Sequence, residues 1–141
     1  MSISTALRTR LVIGLVLLVA LAILGVEAWD RPAAAVEAGA RRYAAAVTAS
    51  DLDGAMAEIA PDQRAQWDAW VQSQLGNVYD VTGVAVRATW LLGQPTDVTV
   101  DVDINRDYPD EFYQATPRVA VEDVAGRWYL SAPLLAPTSE L

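Results

Sequence analysis

The sequence predicts an α+β fold: an N-terminal transmembrane helix, then helices packed on one face of an antiparallel four-stranded sheet. Three observations predict it. Leu11–Val26 is an apolar run without a polar or charged side chain. Beyond it, to about residue 77, apolar residues recur at helical spacing. After that point they recur at every second residue.

The first element is a membrane anchor over 11–29. A bilayer core needs roughly 20 residues of helix, with about 17 as the lower bound. Ala28 and Trp29 extend the apolar run, with Trp29 at the interface where aromatic rings settle. Arg8 and Arg10 precede the run, and the acids Glu27 and Asp30 follow it with one Arg31. The positive-inside bias puts residues 1–10 in the cytoplasm and the rest outside, as a single-pass protein of the inner or plasma membrane. A cleaved secretory signal is the competing reading, with Val26-Glu27-Ala28 as a small-x-small site. The acid inside that site and the length of the run favour an uncleaved anchor over Leu11–Trp29. Both readings place the remainder outside the cytoplasm.

Residues 30–135 then form one small domain, and 136–141 read as a loose tail. Asp30 before Pro32 is a helix start. Val36, Ala40, Tyr43, Ala44 and Val47 make one stripe of that helix. Ser50, with Asp53 three residues later, resembles a capping box that opens a short second helix. Leu52, Ala55, Met56 and Ile59 face inward on it, and Pro61 ends it. A third helix runs from about Asp62 to Leu75, with Trp67, Trp70, Val71 and Leu75 on one face and Gly76-Asn77 as its stop.

The strands follow. Val84, Val86, Ala88 and Trp90 alternate in the first, and Gly93-Gln94-Pro95-Thr96 turns the chain. The second alternates Val98, Val100, Val102 and Ile104 against Asp97, Thr99, Asp101, Asp103 and Asn105. Asn105 to Asp110 is a loop. Phe112–Glu122 is the third strand, with Pro117 forcing a bulge or an edge position. Asp123-Val124-Ala125-Gly126 is a hairpin turn, and Arg127–Ala132 is the last strand, carrying Trp128 and Leu130. The short turns between strands predict an antiparallel meander.

Composition excludes several chemistries. The formal net charge is −8, so affinity for nucleic acid, which comes from basic side chains, is not expected. The chain has no Cys and no His, which removes disulfides, thiol nucleophiles, His-based triads and structural zinc sites. All ten basic residues are Arg. No glycine-rich phosphate loop is present. No cofactor and no metal is implied.

The order of elements resembles the nuclear transport factor 2-like, or cystatin-like, cone. Tyr43-Ala44-Ala45-Ala46-Val47 with Ser50-Asp51-Leu52-Asp53-Gly54-Ala55-Met56 is similar to the family's first helix and the start of its second. Gly126-Arg127-Trp128-Tyr129-Leu130 is similar to its closing hairpin and strand. The resemblance covers about residues 33 to 135. Mce-associated membrane proteins share the layout of a single anchor followed by such a domain. The likeness implies a cone with an apolar cavity between helices and sheet, and no particular activity.

Candidate sites are few. Asp101-Val102-Asp103-Ile104-Asn105 resembles the start of a calcium loop, but Arg106 stands where Gly is needed and Phe112 where a bidentate Glu is needed. The acids are the solvated face of a strand, and Arg87 on the preceding strand is placed to pair with one of them. Asp80, beside Tyr79, is the least implausible base for an isomerase- or cyclase-like reaction, and no catalytic set matches residue by residue. Tyr43, Trp67, Trp90, Phe112 and Trp128 sit on the apolar stripes and would line a ligand cavity if the cone holds one. Core packing is their commoner role. The function expected is a non-enzymatic, membrane-anchored accessory or assembly component of a cell-envelope complex. A module that binds an apolar small molecule is the alternative.

Overall fold

A computed structural model describes residues 4–105 and 112–137, apart from the side chains of 24–30. The chain divides into two compact units, Met1–Arg31 and Pro32–Leu141. Helix α1 spans Thr5–Thr48 with Pro32 inside it, so no separate helix starts at Asp30. A proline within a helix removes one hydrogen bond and crowds the preceding turn, which is why the sequence reads as a boundary there.

In the first unit the apolar stretch is Thr5–Ile23, with a mean hydropathy of 2.2 and no side chain buried. It is long and apolar enough to cross a membrane. Residues 11–23 of the span expected over 11–29 lie in this stretch, and Arg8 and Arg10 lie in the same helix before them. The interfacial placement of Trp29 and the Val26-Glu27-Ala28 site concern side chains outside the described residues.

In the second unit, the stripe of α1 is the spine of the core. Val36, Ala40, Tyr43, Ala44 and Val47 are all buried, and Ala40 and Ala44 let the helix approach its neighbours closely. The helix ends in a Schellman arrangement: Ser50 takes a positive φ of 56°, its N–H donates to Val47 O at 3.1 Å, and Asp51 N–H donates to Ala46 O at 2.8 Å. Asp51 then caps helix α2, Leu52–Ala57, by accepting from Gly54 N at 3.0 Å. The cap is therefore Asp51, one residue beyond the Ser50 that the capping-box reading selected. A single 3-10 turn, Pro61–Gln63, leads into helix α3, Arg64–Gln74.

Five strands follow: β1 Val78–Ala88, β2 Pro95–Asn105, β3 Phe112–Ala115, β4 Arg118–Val124 and β5 Arg127–Leu130. They form a curled antiparallel half-barrel with the order β1-β2-β4-β5, and β3 pairs with β2 off that path. The third strand of the sequence reading is divided here. β3 pairs with Val102–Asn105, and β4 pairs with Asp97–Thr99, both along the same side of β2. Thr116-Pro117 is the break between them, and Val100 N donates to Pro117 O at 3.0 Å across it. Proline cannot donate to a ladder, so the assigned pairing is interrupted where the sequence places it; the register is the same on both sides, and the bulge offered as one alternative at Pro117 does not form.

The alternation of β2 holds: Val98, Val100, Val102 and Ile104 are buried. β1 begins six residues before the Val84 expected. A register shift between Val81 and Gly83 breaks its alternation, so Tyr79 and Val81 face inward on one side of the bulge and Val84 and Val86 on the other. Leu134 is also buried, so the chain stays packed beyond β5. The loop expected at 105–110 lies, after Asn105, outside the described residues, as do residues 138–141 of the tail.

The turn between β4 and β5 places Ala125 at φ 53° and Gly126 at φ 85°. Two positive φ values in a two-residue hairpin define a type I′ turn, which favours Asn-Gly. An L-residue with a Cβ is strained in that first position by roughly 1 kcal/mol. Ala125→Asn is expected to raise the unfolding free energy by about 1 kcal/mol, measured by urea denaturation of the detergent-solubilised chain.

Candidate functional site

Two features stand out: an open apolar groove and a buried carboxylate. The groove has a volume of about 560 Å³ and lies between Gln66 and Trp67 of α3, Pro117–Ala120 at the start of β4, and Ser131–Pro137 after β5. Ser131 N donates to Ala120 O at 2.9 Å and ties the post-β5 segment to β4. The volume falls in the range of small-molecule sites, roughly 300 to 1,000 Å³. Its lining is mainly apolar, with the guanidinium of Arg118 at its edge. That group is already engaged: Arg118 donates to both Asp97 oxygens, at 2.8 and 3.1 Å. Arg87 approaches the same carboxylate at 3.3 Å, as its strand position predicts.

The five aromatic residues proposed as cavity lining are not gathered in one place. Trp67 lines the groove. Tyr43 is fully buried in the core with no partner for its hydroxyl, and that burial holds its phenol above the ordinary range. Trp128 packs beside Glu58 in a separate, narrow cleft. Trp90 is 87% exposed and Phe112 63% exposed, so neither lies on an apolar stripe. Trp90 falls beyond the end of β1 in the turn, where alternation no longer decides which way a side chain faces. Phe112 is paired with Asn105 on the outer face of the sheet.

The feature missed in the sequence is Glu58, just after α2. Its side chain is buried, yet it accepts from Arg42 Nε at 2.7 Å and Nη2 at 3.1 Å, with Arg127 at 3.9 Å. That carboxylate in turn raises the pKa of Arg42. The backbone docks at the same point. Leu130 N donates to Glu58 O at 2.9 Å, and Ala60 N donates to Leu130 O at 2.8 Å. On α1, Gly39 makes room: a Cβ there would lie 3.3 Å from Glu58 Oε2. Tyr129 is flanked by the guanidinium groups of Arg127, 5.0 Å from the ring centre, and Arg64, at 5.8 Å. The cleft above the carboxylate, between Val36, Gly39, Val121 and Trp128, is too narrow for a water molecule. A carboxylate matched by arginine and closed from solvent is suited to clamping elements together, and poorly suited to proton transfer with a substrate. No signal in the sequence pointed to it, since a single Glu after a short helix reads as exposed.

Among the described residues, no group of three or more His, Cys, Asp or Glu is placed to hold a metal ion. Asp80 is exposed at the start of β1.

No family model matches the chain, and no curated protein does. A solved structure that is similar in part is a SEC-C motif containing protein from Rhodopseudomonas palustris, 18% identical over 73% of this chain and 88% of that one, with a TM-score of 0.42.

Two expectations follow from these charges. Glu58→Ala leaves Arg42 without its partner and a hole beside Gly39. Breaking a fully buried pair costs about 3 to 5 kcal/mol. Because Arg42 is half exposed, a loss of about 2 kcal/mol is expected, against under half a kcal/mol for Arg127→Ala, both read by urea denaturation. Glu122 on β4 is half-buried and shares a hydrogen bond with Asp62, so desolvation first, and that neighbour second, hold its pKa above the ordinary range. A raised carboxyl pKa means that the folded chain keeps the proton longer. The stabilisation is complete below the unfolded value of about 4.3 and is lost as pH rises through the folded pKa. Glu122→Gln is therefore expected to raise Tm at pH 7, with the gain vanishing below about pH 4. Asp97 has the opposite sign. The hydrogen bond from Arg118 holds its pKa below the ordinary range, so its contribution is present at neutral pH and is lost on acidification.

Proposed function

We propose that this chain is a single-pass membrane protein whose acidic α+β domain serves, without catalysis of its own, as an accessory or assembly component of a cell-envelope complex. The observation that carries the reading is the Thr5–Ile23 helix, apolar on every face from Leu11 onward and with none of its side chains buried, preceding a domain that has its own core. Apolar surface of that extent is stable only in lipid or against a partner. Arg8 and Arg10 within the helix, with Glu27 and Asp30 after it, favour an N-terminus on the cytoplasmic side and a domain outside. The clamped state of Glu58 supports a structural use for the one described acid that is buried. The order of three helices and a curled sheet supports kinship with the nuclear transport factor 2-like cones.

A second reading, an apolar small-molecule module, is favoured by the groove beside Trp67. Its signature is a change in Trp67 fluorescence on adding a long-chain alcohol or fatty acid. Trp67→Phe abolishes that change in the true case and leaves it intact if another tryptophan reports.

The primary reading predicts that alkaline carbonate leaves the chain in the membrane pellet. Protease added to intact spheroplasts should remove the domain. Mass spectrometry should find a peptide that begins upstream of Leu11. Cross-linking in native membranes should give a discrete species heavier than the monomer. Release by carbonate, or a mature N-terminus at Trp29, overturns the anchor. A chain that cross-links only as a monomer overturns the assembly role.

A further inference from the structure

We propose that the tip of the β1–β2 hairpin is a membrane wedge, in which Trp90, Leu91 and Leu92 enter the boundary between headgroups and acyl chains of a lipid bilayer. These three consecutive side chains are 87%, 78% and 73% exposed, and turns are ordinarily built from Gly, Asn, Asp, Ser and Pro. The tip is not loose. Thr89 N donates to Gln94 O at 2.8 Å, Gly93 N donates to Thr89 O at 3.1 Å, and Gln94 N donates to Thr89 Oγ1 at 3.2 Å. Gly93 closes this turn at φ 60°, a conformation that suits glycine. The three apolar side chains are thereby held outward on a closed rim.

Area and side-chain composition favour lipid as the occupant. Three side chains supply far less than the roughly 800 Å² per partner of a standard protein interface. A bilayer needs no complementary shape, and Trp with Leu is the pairing found where amphipathic elements enter the interface. No residue between Arg87 and Asp97 is charged. The Arg87 and Arg118 guanidinium groups are both engaged by Asp97 at the base of the hairpin, at 3.3 and 2.8 Å. Reach agrees. Taking Thr5–Ile23 as an anchor, the reading on which this proposal rests, eight residues separate it from Pro32 and span at most about 28 Å in any conformation. The domain cannot leave the neighbourhood of the bilayer.

The native chain has no cysteine, so a single label reports the site. The full chain carrying Leu91→Cys is labelled with a polarity-sensitive fluorophore. It is then reconstituted into phosphatidylcholine vesicles containing a minority of phosphatidylglycerol, with and without acyl-chain spin-labelled lipid. Asn105→Cys, exposed at the other end of β2, is the control. The Leu91 label is expected to shift to the blue, to be quenched by the spin label and to resist iodide, while the Asn105 label does none of these. Adding Trp90→Ser and Leu92→Ser should reduce the quenching severalfold. A chain that does not float with the vesicles overturns both the anchor and the wedge. A chain that floats with its Leu91 label open to iodide overturns the wedge alone. A label shielded from iodide but unquenched by lipid overturns it in favour of a protein contact.

Discussion

A carboxylate placed in an interior must be met by positive charge, and Glu58 is met from two directions. Arg42 reaches it from α1 and Arg127 from β5, while the main chain at Glu58 and Ala60 is bonded to Leu130. Buried ion pairs add little net stability over well-packed apolar residues. The consequence here is register. Gly39 and Arg42 are brought to Glu58 together by only one rotation of α1. In that rotation Val36, Ala40, Tyr43, Ala44 and Val47 turn toward the sheet. The same contact sets where the chain after α2 meets the edge of β5, so the helical layer and the sheet are aligned through a few atoms.

The apolar residues of this chain fall into three populations with different fates. Thr5–Ile23, apolar on all sides from Leu11 onward, buries none of its side chains in the protein. The core is built from small and β-branched residues, with Val98, Val100, Val102 and Ile104 of β2 facing the Ala-rich stripe of α1. Close approach of slim side chains gives a thin layer, which is how a domain of this size fills its interior without many aromatic rings. The third population, at the β1–β2 tip, packs on nothing in the domain. Its cost in water balances no gain in folding, so its origin lies outside the stability of the domain.

Periodicity made most of the architecture legible. The stripe of α1, the change from helix to strand near residue 77 and the alternation in β2 each repeat often enough to leave one solution. Pro117 marked the interruption between β3 and β4, although the pairing resumes without a bulge. What escaped were features without a repeat. The break between Val81 and Gly83 inverted the phase of β1, so six residues of the strand looked like loop. Trp90 was carried onto an apolar stripe by extending a pattern past its last hydrogen bond. Of the candidate site, Trp67 was legible because an inward helical face leads to the edge of the core. Glu58 was not, because its partners stand 16 residues before it and 69 after it, and nothing local signals a contact across that separation.

The joint between α1 and α2 has a consequence for how the length of this chain can change. Ser50 and Asp51 complete the end of one helix and Asp51 begins the next, so no residue there is spare. One inserted residue would turn α2 by about 100° about its axis and carry Ala55 and Ile59 away from the core. Insertions at this corner are thus excluded by geometry, although it lies at the surface and contains the small polar residues usually associated with indel tolerance. A surface corner of this chain is as intolerant of added length as its interior.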